Sequence, residues 1–130
     1  MTKHETPLIR RYWKQVGGTL VEEFPVVARS ATNSQRLIDA VIMPKLPTKK
    51  VHWKEISLEG QDVIVVQAKA GRLGMYLMGQ AFFSAELIKK FRPASVRSVA
   101  LCIADDSVLR PLLEQYAGLE VVVMPQESVA

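Results

Sequence analysis

Two apolar stretches carry polar groups that a strand destined for a core does not ordinarily hold. In Asp62-Val63-Ile64-Val65-Val66-Gln67-Ala68-Lys69, four consecutive β-branched residues are followed by an amide, a small residue and an ammonium. β-branched side chains suit a pleated surface and resist helix, so the run reads as a buried strand. Gln67 and Lys69 are two apart and project from the same face of an extended backbone. A second stretch, Leu37-Ile38-Asp39-Ala40-Val41-Ile42, holds a lone carboxylate among aliphatics. By the two-residue period Asp39 shares a face with Leu37 and Val41, and Ile38, Ala40 and Ile42 take the other. Burying polar heads is unfavourable unless something uses them, and aspartate is rarely buried unpaired. Together with Gln67 and Lys69, Asp39 reads as a metal-binding or catalytic carboxylate; a structural salt bridge or turn contact is the alternative.

The elements that must position this set follow from pattern and punctuation. Residues from Thr6 to Val16 form a first helix: Pro7 suits its first turn, Leu8, Tyr12 and Val16 recur every four residues, and Gly17-Gly18 ends it. Glu5 stands at its start, where the helix dipole favours a carboxylate. Thr19 to Ala28 reads as a strand that Pro25 assigns to an edge or a bulge. Of its adjacent Glu22 and Glu23, one can reach a site while the other meets solvent. A polar loop precedes the strand Arg36–Met43. The basic connector Pro44–Gly60 follows, in which Val51–Leu58 is expected to hairpin through Glu59-Gly60 into the Asp62 strand. Its Lys49, Lys50 and Lys54, interleaved with His52 and Trp53, have the composition of a surface that tracks a phosphate backbone; a solvated hairpin anchored by Trp53 is equally consistent.

Lys69 precedes the glycines of Ala70-Gly71-Arg72-Leu73-Gly74, the reverse of a phosphate-loop order. Met75 to Phe91 is a long helix, apolar nearly all round, and is therefore expected to be buried on more than one side. Gln80 lies within it, facing either a local hydrogen bond or the site. Val96–Ala104 is a further strand. Asp105, Asp106 or Ser107 caps a helix over Val108–Tyr116, and Leu119–Met124 is the last strand.

At 130 residues the chain has the length of one domain with a real core. Its formal charge of +4 permits nucleic-acid binding without requiring it. An apolar content of 48% leaves room for a homo-oligomer. One cysteine excludes an internal disulfide framework, and with two histidines it cannot build a usual structural zinc site. No signal-peptide pattern and no apolar run of membrane-spanning length occur, so a cytoplasmic α/β domain without membrane partners is expected.

Ile38-Asp39 and Gln67-Ala68-Lys69, set in this element order, resemble the two half-motifs of the PD-(D/E)XK nuclease superfamily. This is the restriction-endonuclease-like fold that also includes archaeal Holliday-junction resolvases. The resemblance implies a central mixed β-sheet flanked by helices in αβββαβαβ order, a Mg²⁺ (or Mn²⁺) cofactor and DNA as partner. It also implies roles. Asp39, the Gln67 amide oxygen, the Ala68 carbonyl and Glu5 would be metal ligands, Lys69 would position the attacking water, and Lys49, Lys50, Lys54 and Arg72 would contact nucleic acid. Glu22 and Gln80 are accessory candidates. Gln67 stands where the family usually has an acid, and Ile38 where it usually has proline. Three function classes follow: a metal-dependent DNA nuclease, a catalytically silent nuclease-fold domain that binds nucleic acid, and a protein-interaction module.

Overall fold

The computed structural model describes residues 4–126. The chain runs α1 (Glu5–Val16), β1 (Thr19–Val27), β2 (Arg36–Met43), β3 (Lys49–Lys50), β4 (Asp62–Arg72), α2 (Met75–Leu87), β5 (Ser95–Ala104), α3 (Leu109–Glu114) and β6 (Leu119–Val123), with 3₁₀ turns at Trp53–Glu55 and Ile88–Phe91. The strands form one six-stranded mixed sheet in the order β3-β1-β2-β4-β5-β6. β1, β2 and β4 pair antiparallel, whereas β4, β5 and β6 pair parallel through the helical crossovers. The molecule is thus α/β, a mixed sheet flanked by helices. Among the described residues, no helix is long and apolar enough to cross a membrane.

β4 explains the layering. Ile64 and Val66 join Leu8, Ile9 and Tyr12 of α1 in one core cluster, while Val63 and Val65 join Val41, Met43 and Ile88 in another. Each of the four is at most 2% exposed, and each such burial contributes roughly 1.5–3 kcal/mol. An unbroken β-branched run is what a central strand covered on both faces requires.

Two expectations about these elements are corrected. Val51–Leu58 is not a strand. After the two-residue β3, which pairs parallel to β1 through Thr19 and Leu20, the backbone closes into the Trp53–Glu55 turn. There His52 Nδ1 accepts from Lys54 N and Glu55 Oε1 accepts from His52 N, at 3.2 and 3.3 Å. This reciprocal cap offers the backbone an alternative to a ladder. Trp53 stays 37% exposed, so it is not a core anchor.

α2 is covered on one side only. Leu77, Ala81, Ser84 and Ala85 are buried, whereas Met75, Tyr76 and Phe83 are 73, 80 and 63% exposed. The sheet offers α2 a single face, and the described residues place no layer outside it. The α3 cap is as expected: Asp106 Oδ1 accepts from Val108 N and Leu109 N.

The turn from α1 into β1 depends on Gly18. Its φ is +84°, and a Cβ there would lie 2.4 Å from the Met43 carbonyl oxygen. The same residue donates its N–H to Thr48 Oγ1 and accepts the Trp13 indole N–H. Gly18→Ala combines a left-handed penalty of about 1–3 kcal/mol with a backbone clash. A loss of at least about 2 kcal/mol in urea denaturation is the expected outcome; an unchanged midpoint would show that the turn relaxes.

Candidate functional site

The ladder between β2 and β4 is short. It holds Ile42↔Ile64, Val41↔Val65 and Ala40↔Val66 and then stops, although both strands continue beyond it. β2 goes on with β1, β4 goes on with β5, and the two part. Asp39 and Gln67 occupy the first positions past the fork. Asp39 Oδ2 accepts the Ala68 N–H at 2.9 Å, and Gln67 Oε1 accepts the Asp39 N–H at 3.4 Å. The side chain of each strand therefore satisfies a backbone donor of the other where the ladder no longer does.

The strict alternation expected around Asp39 fails. Ile38 packs with Val41 and Met43, not with Ala40 and Ile42. β1 breaks at the same level: Val21 and Phe24 share a cluster, and Glu23 between them adopts φ +53°. The β1–β2 register pairs Glu22 with Ala40 and Phe24 with Ile38, which sets Glu23 opposite Asp39. A two-residue period assumes uniform pleat; a left-handed residue turns the strand over locally. The kink leaves Asp39 at the fork, between the two faces.

Burial is the main cause that pushes the Asp39 carboxyl above its ordinary range, opposed by the Ala68 N–H and reinforced by Glu5 and Glu23. Glu5, in the first turn of α1, and Glu23 are thus close enough for their charges to act on Asp39. Gln67 is 4% exposed, and its Nε2 donates to Ser84 Oγ of α2 at 2.7 Å. Lys69 lies two residues further along β4, in register with Cys102. Cys102 belongs to the cluster under α2, so Lys69 shares the α2 side with Gln67, with an exposed side chain.

The other candidates are distributed as follows. Gln80 lines a groove with Gln67 beside α2. Glu22 is held by Arg10 and Lys50, at 3.0 and 3.1 Å, so Glu23, not Glu22, is the β1 acid set toward Asp39. Lys49 and Lys50 lie on β3, with β1 and β2 between them and β4. Lys54 Nζ stands 5.5 Å over the Trp53 ring, and Arg72 donates to the Asp105 carbonyl. The fork brings Asp39 and Gln67 together, with Glu5 and Glu23 acting on Asp39. Lys69 stands two residues further along β4 with its side chain exposed on the α2 side, and Lys49 and Lys50 of the connector lie two strands away. Sequence reasoning missed Ser84, whose signal was a single serine on an apolar helix. It could not have found the Glu23 kink, since non-glycine φ reversals leave no pattern.

Among the described residues, no group of three or more His, Cys, Asp or Glu side chains is placed to hold a metal ion. The donor chemistry of the fork still suits a hard cation: Mg²⁺ takes oxygen ligands, keeps several waters and needs one or two carboxylates. Asp39 is one, and the proximity of Glu5 and Glu23 is the kind of like-charge crowding that a cation relieves. The chain matches no protein-family model, no curated protein and no solved structure.

Proposed function

We propose that this chain is a restriction-endonuclease-like domain acting as a metal-dependent nuclease on DNA. The observation that carries the proposal is the fork: a carboxylate with raised pKa, two further acids acting on it, and a lysine on the strand facing it across the split. Asp39 and Glu5 would hold Mg²⁺ or Mn²⁺, with the Gln67 amide oxygen and the Ala68 carbonyl as neighbouring donors. When bound, the cation supplies neutralisation of the phosphate oxygens and an acidified water. Lys69 would position the attacking water and stabilise charge developing on the phosphate. The Ala68 N–H fixes one Asp39 oxygen, so the carboxylate is oriented before any ligand arrives.

A second reading, a nucleic-acid-binding domain without hydrolysis, has one observation in its favour. Gln67 is neutral, and its amide is already engaged by Ser84 and Asp39 N. The experiment that separates the two is incubation with single-stranded, duplex and branched DNA in Mg²⁺ or Mn²⁺, beside Lys69→Ala. Cleavage by the wild type that is lost in Lys69→Ala supports the nuclease. Salt-sensitive binding without cleavage supports the silent domain, and neither behaviour leaves the interaction module.

The connector lysines give a further expected outcome. Replacing Lys49, Lys50 and Lys54 together by glutamate should weaken DNA binding and flatten its salt dependence, the slope falling by roughly 0.7–0.9 for each phosphate no longer neutralised. Because Lys50 is paired with Glu22 and Lys54 with the Trp53 ring, the flattening should be smaller than three free lysines would give. An unchanged affinity would assign this segment to solubility.

A further inference from the structure

The exposed side of α2 is a constructed surface. Met75, Gly79 and Phe83 repeat every four residues, with Tyr76 and Gln80 beside them, so all five lie on one helix face. Tyr76 and Phe83 are 80 and 63% exposed, although an aromatic of this size gains most from burial. Across from them stand Gln35, Arg36 and Leu37 at the start of β2, and the space between is a groove of about 770 Å³ with Gln67 and Ser84 among its walls. That volume falls within the roughly 300–1,000 Å³ of small-molecule sites. The aromatic platform is braced: Phe82 meets Phe83 edge-on at 5.4 Å and Tyr116 at 5.2 Å.

The polar groups select the occupant. Glu86, the acid of the groove, is paired with Lys89 at 2.9 Å. Among the described residues Arg36 has no acidic partner, so its guanidinium is the groove charge left for a ligand anion. Gln35 and Gln80 each offer a donor and an acceptor side by side. Aromatic faces, amide edges and a guanidinium together fit a flat heteroaromatic ring attached to a phosphate. In a duplex the base faces are covered by stacking, so only an unpaired base can use Tyr76 and Phe83. A second copy of the chain is the competing occupant, because Met, Tyr, Phe and Arg are also enriched at interface cores; the donor–acceptor edges of Gln35 and Gln80 match a base edge and favour the nucleobase.

We propose that the groove between α2 and the start of β2 binds an unpaired nucleobase of a nucleic-acid strand, stacked on Tyr76 or Phe83 with Arg36 on the adjoining phosphate. This rests on the nuclease-fold reading above and specifies its substrate as single-stranded or locally unpaired. Ile38 and Gln67 line the groove, and Asp39 follows Ile38 in the chain. A base seated there places its own backbone beside the fork.

The test is fluorescence anisotropy with a labelled single strand and the matching duplex, in EDTA so that no cleavage occurs, on wild type, Tyr76→Ala, Tyr76→Phe, Phe83→Ala and Arg36→Ala. The expected result is preference of the wild type for the single strand. Tyr76→Ala or Phe83→Ala should weaken that binding by roughly 5- to 100-fold with the salt slope unchanged, and Tyr76→Phe should retain it. Arg36→Ala should lower the slope by about 0.7. Both aromatic positions are exposed, so a melting temperature equal to wild type shows that the variants fold. Wild-type binding that is indifferent to all of these variants would overturn the groove assignment and leave the nuclease reading intact. No binding of either DNA form, in EDTA and again with Ca²⁺ supplied as a cation that takes the same oxygen ligands, would remove both. A wild-type dimer in sedimentation that Tyr76→Ala or Phe83→Ala dissociates would assign this face to a second copy instead.

Discussion

Asp39→Asn is expected to make the protein more stable and less active together. Burial holds the Asp39 carboxyl above its ordinary value of 3.8, against the Ala68 N–H and with help from Glu5 and Glu23. The folded state therefore binds a proton at Asp39 more tightly than the unfolded chain does. Its contribution to stability is complete below the ordinary value and is lost as pH rises through the raised one. At neutral pH the wild type carries the full penalty of an ionised Asp39. Asparagine keeps an oxygen for the Ala68 N–H and removes the charge that Glu5 and Glu23 oppose. In EDTA at pH 7, the Asp39→Asn variant should melt a few degrees above wild type, and the gap should close as pH falls toward about 4, near the ordinary aspartate value. Cleavage should drop about 10²–10³-fold, the scale for losing one preorganised charged group. Added Mg²⁺ or Mn²⁺ should raise the melting temperature of the wild type alone, since a ligand bound only by the folded state stabilises it. A variant less stable than wild type across this pH range would show that the carboxylate is structural.

Gln67 distinguishes the nuclease from the silent domain. Gln67→Ala leaves the Ser84 hydroxyl and the Asp39 N–H without the partners they have at 2.7 and 3.4 Å and opens a void under α2. A loss of about 2–4 kcal/mol is expected, together with loss of any metal response. Gln67→Glu is different, because a carboxylate can accept from the Asp39 N–H as the amide oxygen does and from the Ser84 hydroxyl once that hydroxyl rotates from acceptor to donor. Without a cation it sets a second charge near Asp39 and should lower the melting temperature. With Mg²⁺ the deficit should close, and cleavage should hold or rise. If Gln67→Glu melts identically with and without Mg²⁺ or Mn²⁺, and neither protein cuts DNA, the binding-domain reading stands in place of the nuclease.

How much of this was legible in the chain itself differs by element. The strand at Asp62 was readable because a β-branched run has few alternatives, and β2 because an apolar run ends at Pro44. Gly17-Gly18 and the Asp105-Asp106-Ser107 run marked helix ends through chemistry that acts within a few residues, and the structure assigns the cap to Asp106. Local physics also misled where two local signals competed. The His52–Glu55 cap overrode the Glu59-Gly60 hairpin signal that would have made Val51–Leu58 a strand, since a closed turn satisfies its own donors without a neighbouring strand.

Residue types and spacing were enough to put Asp39, Gln67 and Lys69 on strands and to give Gln67 and Lys69 a common face. The meeting of Asp39 with Gln67 was not written there. It depends on a ladder ending at Ala40↔Val66 and on a left-handed Glu23 in a third strand. The exposed face of α2 has the same origin, because apolar content says how much surface could be buried and not whether a layer exists to bury it. Pairing ends, kinks and missing layers are properties of several segments at once, and no single segment encodes them.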